Sequence, residues 1–333
     1  MVRRKGLIVL ILLLIGLGAV VPVSRFVCFV QQPVAPSSPR IVAIAPGTSF
    51  AQIAHRLEAE GVVSDGGQLK WLGRWRRATH RIQAGQYAFV LPATPDQVLE
   101  RLVAGDVVRY RFTVPEGLTL WEIAQRLEAE ERGRAETFLT LARDPEFCRQ
   151  LGVVAETLEG YLFPETYLLT DGMTERQLIR TMVREFERRL TPEIEAAARQ
   201  QSLDRRQLVI LASIIQKEAG DRKEMPLIAA VFHNRLRKGI PLQSDPTVIY
   251  GIEHFDGNLT RKHLRTPTPY NTYQLSGLPA GPIANPGEDA LRAAAFPTAS
   301  DYLYFVARGN GTHAFSRTLA EHNAKVRKYQ LRR

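Results

Sequence analysis

The stretch LDRRQLVILASIIQKEAG, Leu203–Gly220, decides the architecture. Its body is apolar almost all the way round: Leu208, Val209, Ile210, Leu211, Ala212, Ile214 and Ile215 leave no polar face. A helix of that kind is buried in a core or in a membrane. This one is too short and too charged at both ends to cross a bilayer, so it belongs to the core of a folded domain. Ser202 is placed to cap its start, and Gly220 to end it in a left-handed conformation. Gln216, Lys217 and Glu218 are thereby delivered to the C-terminal rim. The C-terminal end of a helix carries roughly half a negative charge, which raises the pKa of a carboxylate held there. Partial burial pushes the same way. Glu218 is thus a candidate general acid, although a glutamate at a helix end is ordinarily a solvated surface residue.

Working outward, 333 residues allow two or three domains, and 45% hydrophobic with 23% charged residues is ordinary for a globular protein. The net charge of +10, with a pI near 9.8, points to an anionic partner: nucleic acid, lipid headgroups or an acidic polymer. Two cysteines, Cys28 and Cys148, make no disulfide framework. The seven histidines show no metal-ligand spacing, so neither a metal nor a cofactor is expected.

Towards the N-terminus, Arg3, Arg4 and Lys5 precede the apolar run Gly6–Val23, which can be extended by Phe26–Val30 with Arg25 snorkelling. About 20 such residues cross a bilayer, and the basic cluster keeps the N-terminus cytoplasmic. No A-x-A cleavage site follows, which favours an uncleaved anchor over a signal peptide. Residues 1–30 are therefore expected to be a cytoplasmic tip and transmembrane helix, and residues 31–40 a Pro/Ser linker. Nucleic acid is disfavoured as a partner because this topology puts the remainder outside the cytoplasm.

An internal repeat follows. AIAPGTSFAQIAHRLEAEG (Ala43–Gly61) aligns with TVPEGLTLWEIAQRLEAEE (Thr113–Glu131), matching Gly47 to Gly117 and Ile53 to Ile123. Each copy reads as strand, Gly turn and helix opened by a capping box, Ser49 with Gln52 and Thr119 with Glu122. Gln83–Val90 and Val107–Val114 read as strands, and Thr94–Ala104 as a helix with Pro95 at its first position. The strand–turn–helix unit resembles the LysM type of glycan-binding module. A generic small α+β unit is the equal alternative, because the closing strand of each copy is hard to place. The region is expected to span residues 41–150.

From 151 to 333 motif-dense loops separate helices. Thr174–Leu190 is amphipathic, Glu224–Lys238 is a helix ended by Gly239, Tyr302–Ser316 is a hairpin about Asn310-Gly311, and Leu319–Tyr329 is a last helix. Cleaving a sugar bond needs an acid and a second group that resolves the oxocarbenium-like centre. Glu159, Glu165 and Asp245 are candidates for a second carboxylate, so residue types alone leave hydrolysis and transglycosylation open. Neither Ser213 nor Ser244 sits in a G-x-S-x-G elbow. The loops QSDPT (Gln243–Thr247) and PYNTY (Pro269–Tyr273) carry the amides, hydroxyls and aromatics of a polar ligand groove, yet Asn, Asp, Pro and Ser are also turn formers.

The ordered series LEGYLFPETY, LASIIQKEAG, VFHNRL, LQSDPTVIYG, PYNTY, GLPAGPIANPG and YFVARGNGTHAFSRTLAEHN, from Leu158 to Asn323, resembles the endolytic murein transglycosylases (MltG/YceG-like). The N-terminal anchor and LysM-like region match that family too. The resemblance implies an α+β protein: transmembrane helix, LysM-like region, and a mixed α+β catalytic domain. It further implies a membrane-anchored lyase of the plasma (inner) membrane, with its catalytic domain on the extracytoplasmic side. Such an enzyme cuts MurNAc–GlcNAc bonds inside nascent peptidoglycan strands, leaves 1,6-anhydromuramic ends and sets strand length beside peptidoglycan synthases. The family's catalytic glutamate maps onto Glu218. Gln243, Ser244, Asp245, Asn271 and Tyr273 are the candidates for positioning sugar and stem peptide. Departures from the family pattern are Gln216 for an acidic residue, Glu165 for Asp, Thr268 for Ser and Ala280 within a usual Pro-Pro. A water-using muramidase with Asp245 or Glu159 as base, and a non-catalytic wall-binding scaffold, are the alternatives.

Overall fold

A computed structural model describes residues 20–90 and 92–331. The apolar run Gly6–Val23 lies mostly outside the described residues, of which only its end, the start of a helix over residues 20–31 (α1), is seen. Among the described residues no helix is long and apolar enough to cross a membrane.

The chain forms two compact units, Met1–Tyr110 with Leu168–Gly172, and Arg111–Tyr167 with Met173–Arg333. The second repeat copy lies in the C-terminal unit from Arg111 onward, apart from Leu168–Gly172.

In the first unit β1 (Arg40–Ile44) leads through α2 (Phe50–Ala59) and α3 (Gly66–Trp75) to β2 (Gly85–Phe89), and α4 (Pro95–Ala104) follows. β1 and β2 pair antiparallel with Val42 opposite Tyr87. Period-two alternation turns Val42 and Ile44 inward, where they meet Ile53, Leu57, Leu69, Leu72, Tyr87 and Phe89 in one core. The linker is not wholly free: Val34 and Ala93 exchange backbone hydrogen bonds of 2.9 and 3.1 Å.

The second copy repeats the order, β3 (Arg109–Thr113), α5 (Leu120–Ala129), α6 (Ala135–Ala142), α7 (Pro145–Gln150), then β4 (Thr166–Thr170), which pairs with β3. Both expected capping boxes are present, and Gly47 and Gly117 both turn the chain at φ +80°. The closing strands are thus β2 and β4, the latter separated from its copy by α7 and a long loop.

The rest of the C-terminal unit is mainly helical: α8 (Glu175–Arg189), α9 (Pro192–Gln200), α10 (Arg205–Glu218), α11 (Met225–Arg237), α12 (Asp245–Tyr250), α13 (Arg261–Arg265) and α14 (Glu288–Ala295). The hairpin β5 (Tyr304–Ala307) and β6 (His313–Ser316), with α15 (Leu319–Tyr329), completes it. The described strands form three two-stranded sheets, a mixed α+β arrangement.

α10 is the central rod, with every residue from Leu208 to Ile215 buried against α9, α11 and α14. α14 buries Leu291 together with Ala290, Ala293, Ala294 and Ala295. The small alanine side chains let the helices approach closely. Two end signals differ from expectation. Asp204, not Ser202, caps α10, because Asp204 and Gln207 form a reciprocal capping box while Ser202 adopts φ +59° in the preceding turn. Gly220 does not end the helix in a left-handed conformation. Ala219 turns the chain extended, and Gly220 lacks a side chain because a Cβ there would lie 2.5 Å from the carbonyl oxygen of Gly311.

Candidate active site

The C-terminal end of α10 is fixed from two sides. Gln216 and Lys217 reach the glycine turn of the second repeat copy: Lys217 Nζ donates to the Gly117 carbonyl at 3.2 Å, and Gln216 Nε2 to Glu116 Oε2 at 3.4 Å. Gln216 Oε1 also accepts from Gly287 N at 3.0 Å. A glutamine supplies both a donor and an acceptor here, which an acidic residue could not do when ionised. On the other side the β5–β6 turn rests on Gly220. Glu218, between these supports, faces a groove of about 410 Å³, within the size range of small-ligand sites.

The two loops singled out in sequence close on one another beside it. Gln243 takes φ +53° and donates its N–H to the Thr272 carbonyl at 3.1 Å. Ser244 N donates to Thr272 Oγ1 at 3.0 Å, and Thr247 and Thr272 share a hydroxyl bond of 2.8 Å. Ser244 is buried, and its hydroxyl donates to Glu218 Oε1 at 2.6 Å. Tyr273 OH donates to Asp245 Oδ1 at 2.7 Å.

These contacts set the chemistry of Glu218. Burial raises its pKa most, and the like charge of Asp245 adds to that, whereas the Ser244 hydroxyl favours the ionised form. The result is a carboxyl pushed up to about 7. It is protonated for much of the time near neutral pH, while the loss of its proton remains accessible. Tyr273, half-buried and bonded to the Asp245 carboxylate, is held above the ordinary tyrosine range.

Gln243, Asp245 and Tyr273 therefore line the groove together with Glu218, and Ser244 lies beneath, acting on Glu218. Asn271 has a different place. It is fully buried, its amide donating to the carbonyls of His263, Leu264 and Thr266 and its oxygen accepting from Tyr273 N. It shapes the loop that presents Tyr273. The turn-forming chemistry of asparagine prevailed over ligand contact at this position.

The other carboxylates are directed elsewhere. Glu159 is buried away from the groove, accepting from Leu120 N, Tyr250 OH and Asn285 Nδ2 at 3.0–3.2 Å. Burial pushes it up to about 7 despite those bonds. Glu165 pairs with Arg189 at 3.2 Å. Among the described residues, Glu218 and Asp245 are the carboxylates lining the groove.

Several groove residues were not singled out in sequence. Arg235 of α11 is buried and donates through Nη2 to Gln243 Oε1 at 2.6 Å, holding that strained loop. His313 of β6 is bound by Glu224, Nδ1 to Oε2 at 2.8 Å, and its backbone N–H also donates to that carboxylate. Tyr304 of β5 and His322 of α15 stack, centroids 5.3 Å apart, on the same wall. The signal for Arg235 was the run His233, Asn234 and Arg235, polar residues on an otherwise apolar helix, all three buried. The others arrive only through the fold of the C-terminal hairpin and α15.

The chain is similar to several known proteins. An "Endolytic murein transglycosylase" of Bacillus subtilis (strain 168) is 32% identical over 302 residues, covering 86% of this chain and 83% of that protein. One of the same name from Streptococcus pneumoniae (strain D39) is 30% identical, the match spanning 59% of its length. A 2.6 Å crystal structure of a protein described as yceG-like, from Listeria monocytogenes, superposes with a TM-score of 0.60 at 32% identity, covering 86% of this chain and 98% of that one. The profile of the YceG-like family matches residues 42–328, and the chain belongs to that family.

Proposed function

We propose that the chain is an endolytic peptidoglycan lytic transglycosylase with Glu218 as its acid and base. The observation that carries the reading is the single carboxyl of raised pKa facing the groove, in a chain whose relatives bear that activity in their names. Ser244 engages Oε1, so the mobile proton rides on Oε2. Glu218 gives this proton to the glycosidic oxygen as the MurNAc C1–O bond breaks. The carboxylate so formed takes the proton of the muramic C6 hydroxyl while O6 bonds to C1. Two ends result, one a 1,6-anhydro ring, and Glu218 regains its proton without consuming water. Gln243, Asp245 and Tyr273 position the sugar, with Arg235 and Ser244 fixing the loop and the acid.

In the finer reading, Gly6–Val23 anchors the protein in the plasma membrane with residues beyond it outside the cytoplasm. Basic flanking residues and the length of the run support this. The LysM-like reading of the first repeat is supported by its strand–helix–helix–strand order with an antiparallel pair. A place beside peptidoglycan synthases, terminating nascent strands, follows from the substrate.

A second reading has one observation in its favour: Asp245 also lines the groove and could activate water. Cleavage in H₂¹⁸O separates the two. Transglycosylation yields anhydromuramic ends without ¹⁸O, whereas hydrolysis yields reducing ends that carry it.

A further inference from the structure

α3 buries one face and leaves the other exposed. Leu69 and Leu72 are fully buried, whereas Trp71 and Trp75, one turn apart, are 66% and 68% exposed. Indoles are large apolar groups with a polar tip, and two left side by side in water mark a contact surface. They stand in the run KWLGRWRR, in which Lys70, Arg74, Arg76 and Arg77 are all exposed. The Arg74 guanidinium lies over the Trp71 ring at 5.8 Å and that of Arg76 over Trp75 at 5.2 Å. Arg76 is paired with Asp96.

The same unit fixes the height of this face. Trp71 and Trp75 share a groove with Val21, Val23, Arg25 and Phe26 of α1. Asp65, also in that groove, is engaged as the N-cap of α3, its carboxylate accepting from Gln68 N at 2.8 Å. α1 is held to the unit by the buried Phe29, with Phe26 and Val30 packed against the same core. Val23 is the last residue of the apolar run and Arg25 the first charge after it. The indoles are therefore level with the point where the apolar run gives way to charge. Tryptophan at that level, flanked by cations, is the composition of a bilayer interface. The rings sit at headgroup depth and the cations meet lipid phosphates.

We propose that this face of the N-terminal unit, Trp71 and Trp75 with Lys70, Arg74 and Arg77, lies in the headgroup layer of an anionic bilayer. It would be a second membrane contact that fixes how the unit stands on the surface, and it rests on the reading of Gly6–Val23 as an anchor.

The test uses the full chain carrying Trp121→Phe, which leaves Trp71 and Trp75 as the emitting indoles. It is reconstituted into phosphatidylcholine–phosphatidylglycerol vesicles containing phospholipids brominated near the headgroup or near the chain end. The expected result is loss of emission with the shallow bromines, smaller loss with the deep ones, and weaker quenching when phosphatidylglycerol is left out. Protein that floats with the vesicles but shows no quenching overturns the proposal and leaves the anchor standing. Protein that does not float with them removes the anchor and the proposal together. If purified glycan strands shift the emission while brominated lipids leave it unchanged, the face binds sugar and the proposal is wrong.

Discussion

At the scale of the residue, three neighbours, Glu218, Ser244 and Asp245, set the pH response. In the proposed mechanism Glu218 must be protonated to start the reaction, so kcat/KM is expected to fall as pH rises through about 7, the value to which burial and Asp245 push it. Asp245→Asn removes the like charge and moves that fall to lower pH. Ser244→Ala removes the hydrogen bond that favours the ionised form and moves it to higher pH. Opposite displacements in the two pH–rate profiles check the assignment, and profiles that coincide with wild type contradict it. The place of Glu218 at the end of a buried helix was legible in the sequence because both are local features, whereas its catalytic role came from the resemblance. Arg235 showed only as one of three polar residues late in an apolar helix, and Tyr304, His313 and His322 were not legible. They lie in separate elements, and no local pattern says that α11, the hairpin and α15 surround one groove.

At the scale of the element, the apolar rod was readable because its residues are buried whatever they touch. Removing side-chain volume from it should show this: Leu211→Ala is expected to cost about 2–5 kcal/mol by denaturant titration. The ends of the rod were less readable. The Asp204–Gln207 box displaced the expected cap, and Gly220 proved to be a site of close approach rather than of left-handed backbone. Gly220→Ala forces a Cβ to within 2.5 Å of the Gly311 oxygen, so either the hairpin turn or the segment after Glu218 must shift. A displacement near 1 Å beside the acid costs about 10²-fold in rate, so kcat/KM of the folded protein should fall by that order, over and above the roughly 1–3 kcal/mol of stability that the clash itself costs. A variant with wild-type activity would show that the turn does not position Glu218.

At the scale of the whole molecule, the repeat was visible in sequence but its two fates were not. Copy one closes its own small unit through β2, whereas the turn of copy two, Glu116 and Gly117, holds the end of α10. Side chains outside the repeat motif, Gln216 and Lys217, make that difference, and the alignment of the copies does not contain them. Stability carries the mark of the site as well. The folded chain holds the Glu218 proton up to about 7, while the unfolded chain releases it near 4.5. This group therefore stabilises fully below about 4.5, and its contribution is lost as pH rises through about 7. Glu218→Gln should gain on wild type by roughly 2–3 kcal/mol between those limits, read from denaturant midpoints at both. A difference that does not change with pH would mean the carboxyl is not perturbed.

The central claim is that one carboxyl performs the cleavage. It is tested most directly by intact-mass spectrometry of purified glycan strands digested by the full chain and by its Glu218→Gln form. Internal cuts ending in anhydromuramic acid, present with the wild type and absent with the variant, are the predicted result. Anhydro-ended products from the Glu218→Gln form at the wild-type rate would contradict it.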